Sequence, residues 1–258
     1  MRRPDAGGEG ARPLPAAALI AVGLAGLAAL TLLLGLGVWQ LERRVWKLEL
    51  IRQVEQRARA APVAAPSPAQ WPALARDAAY RRVRVRGTLA TGQITLVQAV
   101  TDRGPGDWVM APLRTDQGFT VLVNLGFTPA QDPRSGYAAV LTQRDPVTVV
   151  GLVRLSEPRG GFLRANDPAA GRWYSRDVAA IAAARGIAAP APYFIDADAG
   201  ANRPGWPVGG LTVIRFPNSH LAYALTWFAL AVMAAAGLVR FARDQWRARR
   251  LGRDGVQG

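Results

Sequence analysis

The sequence predicts a membrane protein in which two transmembrane α-helices flank one β-rich (α+β) extracytoplasmic domain built mostly of antiparallel strands. Three observations predict it: an uncharged apolar run lies near each end of the 258-residue chain, the apolar residues between those runs alternate with a period of two, and arginines cluster beside the runs. In order, the divisions are a cytoplasmic N-terminal tail (1–15), a first transmembrane helix (16–38), an amphipathic helical extension (39–59) and a Pro/Ala linker (60–72). The β-rich domain (73–216), a second transmembrane helix with its cap (217–239) and a basic cytoplasmic tail (240–258) complete the chain.

Ala16 to Val38 carries no charge and, as a helix, reaches roughly 35 Å, enough to cross the hydrocarbon core with some tilt. It reads as an uncleaved anchor, because the run exceeds a signal peptide's apolar region and Trp39-Gln40-Leu41-Glu42-Arg43 follows it in place of a small-x-small cleavage site. Beyond it Leu41, Val45, Leu48, Ile51 and Val54 keep a helical spacing, so the helix is expected to continue as an amphipathic extension. The repeated prolines between Ala60 and Pro72 then rule out a regular helix. Leu221 to Val239 is the second run, about 28 Å long as a helix, with Asn218 or Ser219 as its N-cap.

Arg240, Arg243, Arg247, Arg249 and Arg250 close the second run and assign that end to the cytoplasm. The first run alone points the other way, since Arg43, Arg44, Lys47, Arg52 and Arg57 follow it and only Arg2, Arg3 and Arg12 precede it. The C-terminal asymmetry is the larger, and long loops translocate largely regardless of their charge. Both termini are therefore expected in the cytoplasm of a bacterial inner membrane, with the main domain in the periplasm.

Within the domain, Val83, Val85 and Leu89 alternate with Arg82, Arg84 and Arg86, the pattern of a strand with one buried face and one basic face in water. Further strands are expected at Gln93–Val100, Trp108–Leu113, Phe119–Asn124, Val147–Arg154, Tyr193–Ile195 and Leu211–Arg215, set apart by Gly, Pro, Asp and Asn. One helix interrupts them, Arg176–Arg185, with Ser175 as N-cap and Gly186 as its left-handed stop. A curled sheet or small barrel accommodates this set.

The net charge of +14 is concentrated beside the apolar runs and not along an aromatic-studded surface, so nucleic acid is not an expected partner. The absence of Cys removes disulfides, thiolate metal sites and thiol nucleophiles, and three Met are too few for copper delivery. The single histidine, His220, borders the second apolar run, away from any plausible serine or aspartate partner, and Asp177, Asp196 and Asp198 read as caps and turn residues. No phosphate loop or dinucleotide fingerprint is present, so no catalytic residue is assigned and the chain is not expected to be an enzyme.

The informative residues stand at the two membrane boundaries. Trp39, Arg43 and Trp46 share one helical face after the first run, and His220, Tyr223 and Trp227 share one at the start of the second. An aromatic belt with basic anchors accounts for such clusters, with His220 simply hydrogen-bonded at the interface. The same residues also suit a haem: His220 as ligand to the iron, Trp39, Tyr223 and Trp227 against the macrocycle, and Arg43, Lys47 and Arg215 near the propionates.

These boundary segments resemble the Surfeit locus protein family of cytochrome c oxidase assembly factors. Gly37-Val38-Trp39-Gln40-Leu41-Glu42-Arg43-Arg44-Val45-Trp46-Lys47 is similar to the family's G-x-W-Q-x-x-R-x-x-W-K signature, and Asn218-Ser219-His220-Leu221-Ala222-Tyr223-Ala224-Leu225-Thr226-Trp227 to its N-x-H-x-x-Y-A-x-T-W motif. Gly151 to Arg154 resembles its G-x-x-R strand and Trp173 to Asp177 its W-x-x-x-D segment. Where members commonly read V-N-R-G-W-x-P, this chain has Val123-Asn124-Leu125-Gly126-Phe127-Thr128-Pro129, so Leu125 and Phe127 replace the Arg and Trp while the turn-forming Gly126 and Pro129 remain.

The resemblance implies assistance to a haem-copper oxidase during assembly, with haem a as a transient cofactor and His220 as the residue that contacts it. The implied partners are the oxidase's catalytic subunit, a haem a synthase and the lipid bilayer. A scaffold that holds oxidase subunits without haem, through helix packing and the Arg82–Arg84–Arg86 face, is the alternative, and a membrane-tethered enzyme is a more distant one.

Overall fold

A computed structural model describes residues 14–74, 78–161, 163–201, 205–213 and 216–254. Its elements in chain order are α1 (Ala16–Arg59), β1 (Val63–Ala64), β2 (Arg82–Leu89), β3 (Thr95–Thr101), β4 (Gly104–Thr115), β5 (Thr120–Pro129), α2 (Ala138–Thr142), β6 (Val147–Leu155), α3 (Val178–Ala184), β7 (Pro190–Ala197) and α4 (His220–Asp254). They form two units, Met1–Leu50 with Phe216–Gly258, and Ile51–Arg215.

In the helical unit α1 and α4 are both long and apolar enough to cross a membrane. The uncharged run and its amphipathic extension are one continuous helix of 44 residues, because nothing between Val38 and Arg59 breaks the backbone ladder. The two helices run antiparallel. Phe228 fills the space beside Gly37, Leu238 fills that beside Gly26, and Gln245 and Arg249 bond the backbone of Leu14 at 2.9 and 3.1 Å. The bulky side chains Ile20, Leu24, Leu27 and Leu32 point outward and are exposed. Helix α4 continues through the basic segment to Asp254, since no Gly or Pro stop intervenes between Val239 and Gly252 and the arginines are good helix formers.

In the second unit β2, β6, β7, β5 and β4 form a ring. β2 pairs antiparallel with β6, β6 with β7, and β5 with β4, while β5 and β7 run parallel. The far end of β4 returns to β2 through Leu89↔Leu113 and closes the sheet on itself. A register shift between Trp108 and Met110 bends β4, so that its first half pairs with β3 and its second with β2. Alternate residues fill the interior, among them Val83, Val85, Leu113, Val121, Val123, Val153, Tyr193 and Ile195. Leu122, Met110 and Phe194 point out of the ring and are covered by Trp173 and by Val178 and Ile181 of α3.

Several expectations need correction. The Pro/Ala linker is ordered: Val63–Ala64 adds a parallel strand to β2, and Pro68–Ala73 forms a 3₁₀ turn with a Ser67–Gln70 capping box, because Pro at the first helical position costs no hydrogen bond. Helix α3 starts two residues later than expected, capped by Asp177, whose carboxylate accepts the Ala180 N–H at 3.1 Å, while the Ser175 hydroxyl donates to the Glu157 carbonyl at 2.7 Å. Gly186, at φ 66°, ends it as its left-handed stop. Leu211 to Val213 is not a strand, and the rest of that expected strand, Ile214 and Arg215, lies outside the described residues. Arg2, Arg3 and Arg12 lie outside them as well. Gly126 is not in a turn; it sits inside β5 at φ 134°, where the Val208 backbone occupies the place a Cβ would take. The neighbouring substitutions are apolar core: Leu125 and Phe127 are both buried, and Phe127 meets Trp108 edge-on at 6.0 Å.

The entry to the ring is fastened by a single carbonyl. Pro66 O accepts from Tyr193 Oη at 2.8 Å and from Trp71 Nε1 at 3.0 Å, and burial pushes the Tyr193 hydroxyl above its ordinary range. Replacing Tyr193 by Phe removes one of these bonds and nothing else, and is expected to cost about 1 kcal/mol, measured as a lowered midpoint in chemical unfolding with an unchanged slope.

Candidate functional site

The two boundary motifs meet at one end of the helix pair. His220, the first residue of α4, places Nδ1 2.8 Å from Oε1 of Gln40 on α1, and both side chains are half-buried. Lys47 Nζ donates to the Pro217 carbonyl, a second tie between the same segments. Ser219 precedes the helix, and its carbonyl accepts the Tyr223 N–H at 3.2 Å. The amide nitrogen and oxygen of Asn218 are both shielded from solvent and unbonded.

Of the residues singled out in the sequence, His220 and Lys47 make hydrogen bonds between α1 and the start of α4. Arg43 lies 3.9 Å over the ring of Trp46 on its own helix. Trp39 and Tyr223 are 52 % and 56 % exposed, Trp227 is half-buried, and among the described residues none of the three has a ring-stacking partner. Arg215 lies outside the described residues. With Nδ1 held by Gln40, the ring nitrogen left for a further partner is Nε2.

A second polar cluster lies in the ring domain. Asp196, expected in a turn, is instead buried on β7 and accepts four bonds: Arg154 Nη1 at 2.7 Å, Asn124 Nδ2 at 2.9 Å, Thr212 Oγ1 at 3.0 Å and Arg176 Nη1 at 3.1 Å. Glu157 takes the other edge of the Arg176 guanidinium, at 2.5 and 3.1 Å. Phe194 and Trp108 lie beneath Arg176, and Tyr80 beneath Arg154. Of these groups Trp108, Arg154, Arg176, Asp196 and Thr212 line a cleft of about 660 Å³ between Val100 and Val213. The guanidiniums are already paired, so the cluster's chemistry is to hold Thr212, in the segment leaving the domain, against β7. Among the described residues no three His, Asp or Glu converge to hold a metal ion.

The chain matches the SURF1 family over residues 27–232. It is 37% identical to the Surfeit locus protein 1 of Mus musculus over 212 residues, covering 76% of this chain and 67% of the mouse protein. It is 36% identical to the human protein of that name over 214 residues (76% and 69%), and 34% identical to that of Takifugu rubripes over 227 residues (81% and 91%). The chain belongs to the SURF1 family.

Gln40 and Arg176 are the residues of these two polar clusters that the sequence did not single out. Gln40 stands inside the first quoted motif, so its type was visible, but its partner is 180 residues away. Arg176 was placed as the first residue of a helix, whereas the start of α3 at Val178 frees its side chain for Asp196. Of the expected basic face, Arg82 pairs with Asp198 and Arg86 with Asp116, leaving Arg84 exposed without an acidic partner among the described residues.

Burial opposes ionisation of Glu157, but the hydrogen bonds and charge of Arg176, with Arg154 nearby, outweigh it and hold the carboxyl below its ordinary range. A carboxyl depressed in the fold stabilises above its unfolded pKa and loses that contribution as pH falls through the folded one. Thermal unfolding should therefore show a stability term complete above about pH 4.5 and lost below it, and Glu157→Gln should flatten that part of the profile. Asp196→Ala leaves the half-buried guanidiniums of Arg154 and Arg176 with Glu157 as their remaining carboxylate and Asn124 without its acceptor, and is expected to cost about 1–3 kcal/mol in the same assay.

Proposed function

We propose that this chain is a membrane-inserted assembly factor for a haem-copper cytochrome c oxidase, which holds haem a through His220 and presents it to the catalytic subunit. The observation that carries this reading is the 2.8 Å pairing of His220 with Gln40, which joins the two boundary motifs and leaves Nε2 as the nitrogen for iron. Membership of the SURF1 family supports the oxidase as the process served.

The residues fit such a group. Trp39, the residue before Gln40 on α1, and Tyr223, three residues past His220 on α4, offer exposed aromatic surface, Trp227 a half-buried one, and Arg43 a cation for a propionate. Haem a, when bound, supplies the redox-active iron that the oxidase later uses; this chain's residues bind it, orient it and limit its exposure. The exposed leucines of α1 suit lipid as their solvent. Arg240, Arg243, Arg247, Arg249 and Arg250 favour the cytoplasm for the C-terminal end of α4, which sets the ring domain in the bacterial periplasm. A haem a synthase as donor and the catalytic subunit as acceptor complete the proposal.

Co-expression with haem a synthesis tests it. The purified protein should carry a Soret band, and His220→Ala should remove or shift it. An unchanged spectrum in that variant would eliminate His220 as the ligand, and oxidase subunits that copurify with a protein never carrying haem would point to a scaffold.

A further inference from the structure

We infer that Gln40 is a positioning residue that fixes the tautomer of His220, holding the ring proton on Nδ1 and so keeping Nε2 as the lone-pair nitrogen for a metal centre. The geometry is one contact with one chemical consequence. Oε1 of the Gln40 amide, an acceptor only, faces Nδ1 at 2.8 Å, and this contact assigns the ring proton to Nδ1. A neutral imidazole has one N–H, and its other nitrogen is then an acceptor. Neutral histidines in water favour no such arrangement for metal binding, and proteins commonly impose it by an outer partner on the nitrogen turned away from the metal.

The surroundings hold the two side chains in register. Gln40 lies on α1 one turn beyond Gly37, where the Phe228 ring packs into the space that a side chain would otherwise fill. The Lys47–Pro217 bond holds the start of α4 from the other side. His220 is thus presented by two fixed helices, and rotation of its ring costs the Gln40 bond. The inference rests on the proposed function only for what Nε2 serves; the tautomer itself is a property of the protein without cofactor.

The chain's single histidine makes the test direct. Full-length protein labelled with ¹⁵N-histidine in detergent gives one imidazole, read at about pH 8.5, well above the ordinary imidazole pKa of about 6.5. The wild type should show a neutral ring protonated on Nδ1. Gln40→Met, which keeps length and helix propensity but removes the acceptor, should shift the ring to the Nε2-protonated form or a mixture, while Gln40→Glu, which retains an acceptor, should keep Nδ1 protonated. Titration with iron(III) protoporphyrin IX should be weakened about tenfold or more in Gln40→Met and substantially restored in Gln40→Glu. A wild-type ring protonated on Nε2, as when the Gln40 amide donates, overturns the inference, and so does a Gln40→Met spectrum identical to wild type. Wild type that shows the Nδ1 proton yet binds no porphyrin upholds the tautomer and removes the haem-binding reading instead.

Discussion

The close approach of α1 and α4 at Gly37 sets the register on which the rest of the helical unit depends. Gly37 is the buried residue of α1, and Phe228 occupies the volume that any larger residue would claim. Once that contact is made, the antiparallel helices can meet elsewhere only at fixed pairs: Gly26 with Leu238 toward one end, Lys47 with Pro217 toward the other. Gln40 lies between them, one turn from Gly37, and His220 is the residue that the register brings to it. Close packing across small residues is the usual source of specificity between apolar helices, since the lipid-like surfaces themselves offer no preference.

The ring domain solves a different problem, that of fastening both of its chain ends. β7 does so from its two faces. Tyr193, inside the ring, holds the entering segment through the Pro66 carbonyl, and Asp196, three residues on, holds the leaving segment through Thr212. The backbone adds to the second tie, as Val208 bridges Phe127 and Gly210 donates to Ala197. A buried carboxylate with four donors is a costly group to assemble, and two arginines and an asparagine converge on it to offset the desolvation. The result is that the leaving segment is held against β7 as far as Thr212.

Much of this was legible in the sequence where a periodic pattern decides the outcome. The two apolar runs gave both long helices, and the alternation around Val83 and Val85 gave β2 within a residue of its start. Strand ends in β4, β5 and β7 extended past the expected limits, because pairing with neighbours recruits residues such as Gly104 and Pro190 that have no strand preference of their own. The helical continuation past Val239, the 3₁₀ turn at Pro68–Ala73 and the shift of the α3 cap from Ser175 to Asp177 were hidden for a related reason: local residue types permitted two answers and tertiary contacts chose one. At the helix rim the histidine announced itself by being single, whereas Gln40 did not, since glutamine is unremarkable until its partner is known. The Asp196 cluster could not be read at all, because its members come from β5, β6, β7, the lead-in to α3 and the leaving segment.

The most direct test of the register uses the absence of native cysteine. A chain carrying Gln40→Cys and His220→Cys, treated with a short bifunctional methanethiosulfonate, should form an intramolecular cross-link in high yield, while Gln40→Cys with Trp246→Cys, at the opposite end of the pair, should not. Linkage of the second pair, or failure of the first with both thiols shown to be reactive, would contradict the account.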